Sequence, residues 1–232
     1  MGTEERKARE KERRRNTIID AAEQVIFSKG LEQATMEEIA EKAELSKGTL
    51  YLYFKNKNDL YIAICERGSN LLNNRFSKII TSNHTGIELI RLMGESYLDF
   101  VRTYPNYFNA FMYYESIKDT EELENSEAAQ TCEENRREAM TYMVRALQIG
   151  MQDGTVNDSY DPKELAVVLW SCTRGITSTN HMRQTGHHFK MLDEMEIETG
   201  SLFENFLNLV GKGIATEKGQ NIKMTNGHFT ET

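Results

Sequence analysis

The chain has 232 residues, 39% of them hydrophobic, only two prolines and a formal charge of −8, enough apolar matter for a core and little to interrupt long helices. Its longest purely apolar run, Leu165 to Trp170, is far below the ~20 residues a membrane span requires. The charged N-terminus lacks the apolar region of a secretory signal, so a cytoplasmic protein with no membrane partner is expected.

In chain order, nearly every segment has helical period and no alternating strand stands out. Residues 1–15 carry seven basic and four acidic side chains, with Glu5/Arg9 and Glu10/Arg14 at i,i+4 spacing, so this basic leader is expected to extend the first helix. That helix shows Ile18, Ala21, Ala22 and Val25 on one face and ends near Lys29-Gly30. Thr35 with Glu38 makes a capping box for a short helix whose inward face is Met36, Ile39, Ala40 and Ala43. After the turn Glu44-Leu45, Ser46 caps a third helix to about Tyr53. Asn56 caps a fourth, with Asp59 three residues on, running toward Asn74.

A polar break, Thr81 to Thr85, precedes the body. Thr85 and Glu88 form another capping box, and that helix runs to Tyr104 before Pro105. Residues 97–114 then hold eight of the twenty Phe and Tyr. An acidic segment, 119–127, leads into a long helix ending at Gly150–Gly154. Asp161-Pro162 starts the next, with proline at its first position, to about Met182. The last helix spans Leu202 to about Ile214, and the polar stretch from Glu217 is expected to be disordered.

Charge is distributed unevenly. Residues 1–60 hold 12 basic and 12 acidic side chains, whereas the remaining 172 hold 16 and 24 and carry the whole −8. A neutral head with a basic leader on an acidic body suits a protein that presents only its head to phosphate. Two short capped helices joined by a tight turn are the helix-turn-helix pattern, with the second helix placed for the major groove. Ser46 and Lys47 suit a phosphate, Gly48 permits close approach, and Thr49 can meet a phosphate or a base edge. Tyr51 and Tyr53 offer a ring with a polar tip, and Lys57 another phosphate contact. Leu50 and Phe54 belong to the core, and Tyr51 is expected to face outward.

The run Ile18…Ala21-Ala22…Phe27…Gly30…Thr35…Ile39-Ala40…Ala43…Ser46-Lys47-Gly48-Thr49-Leu50-Tyr51…Tyr53-Phe54-Lys55-Asn56-Lys57…Leu60 resembles the DNA-binding domain of the TetR family. The resemblance implies an all-α homodimeric regulator: a three-helix helix-turn-helix domain followed by a helical ligand-binding and dimerisation domain. Carried over by position, Thr35, Ser46, Lys47, Gly48, Thr49, Tyr51, Tyr53 and Lys57 are the expected DNA contacts. Glu44 departs from the family, which often has glycine in this turn, and Leu52 replaces a common aromatic.

The domains are therefore drawn at 1–60 for the head and 61–216 for the body, with a disordered tail at 217–232. In the body, Tyr97, Phe100, Tyr104, Phe108 and Phe111 are candidate cavity walls, an aromatic stripe being otherwise plain core. Met112, Met140, Met143, Leu147, Trp170 and Thr173 are the facing candidates, and Arg174 and His181 the polar groups to fix a ligand's head. The last two long helices are expected to pair between protomers through Leu165, Val168, Leu169, Phe203, Phe206, Leu207 and Val210.

Cys65, Cys132 and Cys172 stand far apart without a CxxC pair, and His187-His188 with Asp193 lack a third ligand at helical spacing. Neither a metal nor a cofactor is expected. No catalytic motif is present, so the chain is read as a repressor of a palindromic operator, released by a small, largely apolar effector. The alternatives are a regulator without inducer or with a co-repressor, and a helical lipid-binding protein or enzyme that uses the head as an interaction module.

Overall fold

The computed structural model describes residues 2–117, 126–184, 194–196 and 199–222. The described helices are α1 Thr3–Lys29, α2 Met36–Lys42, α3 Lys47–Tyr51, α4 Lys57–Ile80, α5 Gly86–Thr103, α6 Pro105–Ile117, α7 Glu127–Asp153, α8 Pro162–Gln184, α9 Thr199–Ile214 and α10 Glu217–Gln220. The fold is all-α. Among the described residues the β pairing is limited to an isolated bridge between Val156 and Ala215. Two compact units result: Met1–Leu71 with Tyr104–Asn135, and Leu72–Thr103 with Arg136–Thr232.

In the first unit, α1 buries Ile18, Ile19, Ala22 and Ile26 against Ile39, Ala40, Leu50, Phe54 and Leu60. Local sequence sets the boundaries of the short helices. Thr35 Oγ1 accepts from the Glu38 amide while the Glu38 carboxylate receives the Thr35 amide, closing the capping box. At the other end of α2, the Leu45 N–H reaches the Ala40 carbonyl and the Glu44 N–H that of Glu41. This is a Schellman turn, and it holds Glu44 at φ 55° where glycine is usual. Asn56 Oδ1 accepts from the Asp59 amide at 2.8 Å and starts α4.

The polar run Asn73-Asn74-Arg75 reads as the end of α4, yet the helix continues to Ile80. Leu72, Phe76 and Ile79 carry its buried stripe onward. Its polar groups are provided for: Asn73 donates to Glu138 at 2.9 Å, and Arg75 pairs with Asp99 at 2.8 Å. Helix α6 is fastened inside the first unit by tyrosine hydroxyls. Tyr107 donates to Glu23, Tyr113 to Asn58 and Tyr114 to the Ala129 carbonyl, at 2.9, 2.8 and 3.1 Å.

In the second unit α8 and α9 differ from the expected seam. Leu169 and Phe203 are buried within the protomer, whereas Val167, Val168 and Leu209 are exposed. The tail also departs from expectation, because disorder was expected from Glu217 and residues 217–220 form a turn of helix. Thr216 caps it and donates its hydroxyl to the Gly154 carbonyl at 2.6 Å. Gly219 allows the approach, since a Cβ there would stand 2.2 Å from the Thr155 carbonyl oxygen. Composition alone shows no such long-range anchor.

Candidate nucleic-acid interface

Helix α3 is positioned by Ser46, whose Oγ accepts from the Thr49 amide at 3.1 Å. One turn of helix then separates an inner from an outer face. Leu50 and Phe54 are 0% and 3% exposed, while Tyr51 is 43% and Leu52 82% exposed. Ser46, Lys47 and Gly48 are exposed and Thr49 is half-buried, as is Tyr53, which packs against the apolar core of the unit. A Cβ at Gly48 would meet only Ser46 Oγ at 3.9 Å, so the protein's own packing does not demand glycine there.

The basic groups are already engaged. The Lys47 ammonium pairs with the Glu37 carboxylate of α2 and lies 6.0 Å from the Tyr51 ring centroid. The hydrogen bond with Glu37 raises the Lys47 pKa, and the same bond lowers that of Glu37. Lys57 donates to the Glu32 carbonyl at 3.0 Å, and the Thr35 hydroxyl belongs to its capping box. The leader is helical, as its i,i+4 pairs suggest. Arg6, Lys7, Arg9, Lys11, Arg13 and Arg14 are exposed, whereas Arg15 turns inward to Glu66 at 2.6 Å and to the Phe54 ring at 5.7 Å.

Two residues of this surface escape the sequence reading. Leu52, the residue that follows α3, is far more exposed than Tyr51, and adjacency to Tyr51 is the signal for it. Glu37 lies ten residues from Lys47 across the turn, a pairing that no helical spacing rule reveals.

Elsewhere in the first unit Arg67 of α4 bridges Asp20 at 2.6 Å and Glu23 at 3.0 Å, both on α1. Burial pushes the Glu23 carboxyl above its usual range, against the opposing pull of the Tyr107 hydroxyl and Arg67.

The ligand candidates fall in both units. In the second, Phe100 and Leu147 are buried, Met140, Met143 and Thr173 are half-buried, and Trp170 is exposed. The structure brings Tyr97 and Arg174 together and adds Thr177: burial raises the Tyr97 pKa, while a Thr177 hydrogen bond and the Arg174 charge lower it. The Arg174 guanidinium lies 5.4 Å over the Trp170 ring. In the first unit Phe108 is buried, Tyr104 and Met112 are half-buried, and Phe111 packs on the apolar core. The His181 side chain lies outside what is described, as do His187, His188 and Asp193. Among the described residues no group of three or more His, Cys, Asp or Glu is placed to hold a metal, and no helix is long and apolar enough to cross a membrane.

Residues 18–64 match the family described as bacterial regulatory proteins, tetR family. The likeness to that family is thus confined to the head. Over 76 residues it is 37% identical to the fatty acid metabolism regulator protein of Bacillus subtilis, a match covering 33% of this chain and 39% of that one. Over 91 residues it is 30% identical to the HTH-type transcriptional activator FasR of Mycolicibacterium smegmatis, covering 39% and 42%. The chain thus spans about two fifths of the length of these curated relatives. Among solved structures, FadR of Bacillus subtilis in complex with stearoyl-CoA superposes with a TM-score of 0.60 at 22% identity, over 85% of this chain and 98% of that one. That likeness shows a shared fold that runs beyond the head. All three of these proteins are named as regulators.

Proposed function

We propose that the protein is a transcriptional repressor that binds a palindromic operator as a homodimer and releases it when a small, largely apolar ligand binds the body. The outer face of α3 carries this reading: Lys47, Gly48 and Tyr51 face solvent while Leu50 and Phe54 anchor the helix from beneath. A recognition helix needs such a division, with core residues fixing its pose and polar or aromatic tips free for base edges. The exposed Val167, Val168 and Leu209 supply an apolar face for a partner protomer. The domain division follows the same reading, with residues 1–60 gripping DNA and 61–216 dimerising and sensing ligand.

The ligand class is supported by the FadR likeness and by the aromatic and methionine content of the body. We read the ligand as an amphipathic molecule with a long acyl chain, its head near Arg174, Tyr97 and Thr177. Ligand and operator would then be coupled through two dimer conformations, and linkage makes the coupling reciprocal.

The test is selection of bound duplexes from a random pool, followed by titration of the selected operator. Tyr51→Ala and Lys47→Ala should each weaken binding about tenfold or more while leaving thermal stability nearly unchanged. Loss of head folding in Tyr51→Ala would place Tyr51 in the core and overturn the assignment. Stearoyl-CoA is then titrated with operator absent and present. Equal ligand affinity in the two titrations would remove the sensor role.

A further inference from the structure

We propose that the N-terminal leader, residues 4–14 of α1, is an arm that grips the phosphates of duplex DNA beyond the reach of α3. The proposal rests on the operator-binding reading above and deepens it. Residues 4–14 are exposed throughout, and burial on α1 begins only at Ile18 and Ile19. Three turns of helix, about 16 Å, therefore project from the packed part of the head. Six of these residues are basic, four are acidic, and Ala8 alone is apolar. Such a helix has no stripe to bury, either against the protein or in a membrane surface. Its net charge is positive on a chain whose formal charge is −8. A polyanion is the partner that this charge fits.

The point where the leader leaves the head decides which polyanion. Arg15 pairs with Glu66 at 2.6 Å and lies 5.7 Å from the Phe54 ring centroid. The Phe54 N–H bonds to the Leu50 carbonyl, closing the turn that follows α3. The leader thus starts beside the C-terminal end of the helix assigned to the groove. Lys7, Lys11 and Arg14 stand at i, i+4 and i+7, and Ile18 continues their line. Ile18 is fully buried, so this cationic stripe lies on the side of α1 that packs on the head. Glu10 already pairs with Arg13 and Arg14 at 3.0 and 3.4 Å, which makes Lys7 and Lys11 the leading groups for phosphate. The lysines near α3 are engaged within the protein, Lys47 by Glu37 and Lys57 by the Glu32 carbonyl. Contacts to phosphate position a protein without reading sequence, and the leader supplies them.

The experiment uses the full-length protein, a Lys7→Gln, Lys11→Gln variant, and a Lys78→Gln, Arg102→Gln control whose exposed cations lie in the second unit. Each variant loses two charges, and glutamine keeps the helices. Binding to a random duplex and to the selected operator is titrated between about 50 and 200 mM salt. The leader variant should flatten the log-log salt slope by about 1.8 for each bound head, at about 0.9 for each lost contact. It should weaken both duplexes by the same factor, about tenfold or more. The control should leave slope and affinity unchanged. Equal effects in the two variants would reduce the leader to net charge and overturn the proposal. So would an unchanged slope in the leader variant, or a loss confined to the operator. If no operator is selected but the leader variant still flattens the slope on the random duplex, the repressor reading fails and the arm stands.

Discussion

At the scale of single residues, the head separates groups that hold the fold from groups turned outward. Gly48 tests that separation. Alanine there meets no steric obstacle within the protein, and replacing an exposed helical glycine stabilises by about 1 kcal/mol. Gly48→Ala should therefore raise the melting temperature and weaken operator binding together, as thermal unfolding and a DNA titration would show; unchanged DNA affinity would mean that the groove wall stays clear of α3 at this point. Glu23 supplies a pH test. Its folded pKa is raised by burial, so the folded state holds the proton more tightly than the unfolded chain. Stability from this group is present at low pH and is lost as pH rises from 4.5, the unfolded value, through the raised folded one. Tyr107→Phe removes a 2.9 Å hydrogen bond that favours the charged carboxylate. It should cost about 1.5 kcal/mol at pH 7, the lower end for a bond to a charged group, and less at pH 4, measured by denaturant unfolding at both. An equal loss at the two values would show that the charge of Glu23 plays no part.

At the scale of elements, what was legible in the sequence was what local chemistry decides. Thr35 with Glu38, Ser46, and Asn56 with Asp59 each fix a helix start through partners three residues away, and all three caps form. Long-range pairing was not legible. The tyrosines of 104–117 read as an aromatic excess suited to a cavity, yet Tyr107, Tyr113 and Tyr114 spend their hydroxyls on α1, α4 and α7. Periodicity shows that a face is buried but not against what. The turn between α2 and α3 is where sequence and geometry meet most sharply, because Glu44 occupies a left-handed conformation. Asparagine tolerates that region better and does not loosen the unfolded chain as glycine does. Glu44→Asn should stabilise the head by about 0.5–1 kcal/mol without changing operator specificity, as unfolding and competition titrations would show. A destabilised variant would mean that the Glu44 carboxylate makes a compensating interaction.

At the scale of the whole molecule, the sequence offers α8 and α9 as the pair of helices for a partner protomer but does not single out the residues. Both α8 and α9 are apolar enough that their inner and outer stripes cannot be told apart from sequence. Leu169 and Phe203 are buried within the protomer, whereas Val167, Val168 and Leu209 are exposed and are the residues on which the proposed dimer would rest. A Val168→Glu, Leu209→Glu double variant should be a folded monomer by sedimentation, with helicity retained and operator affinity lost, since a palindrome is read by two heads. A dimer surviving the double charge would move the interface elsewhere on the body.

The ion pair between Lys47 and Glu37 bears on how such a protein would search a genome. A lysine that meets phosphate from water releases a condensed cation from the duplex, whereas Lys47 must first leave a carboxylate that already acts as its counterion. Sliding encounters with random sequence, which are held by ion release alone, draw little from it. The pair would open fully only where the rest of α3 is seated against its matching bases. Glu37→Gln should therefore steepen the salt dependence of non-specific binding and lengthen residence on random duplexes, a gain in grip at the expense of discrimination.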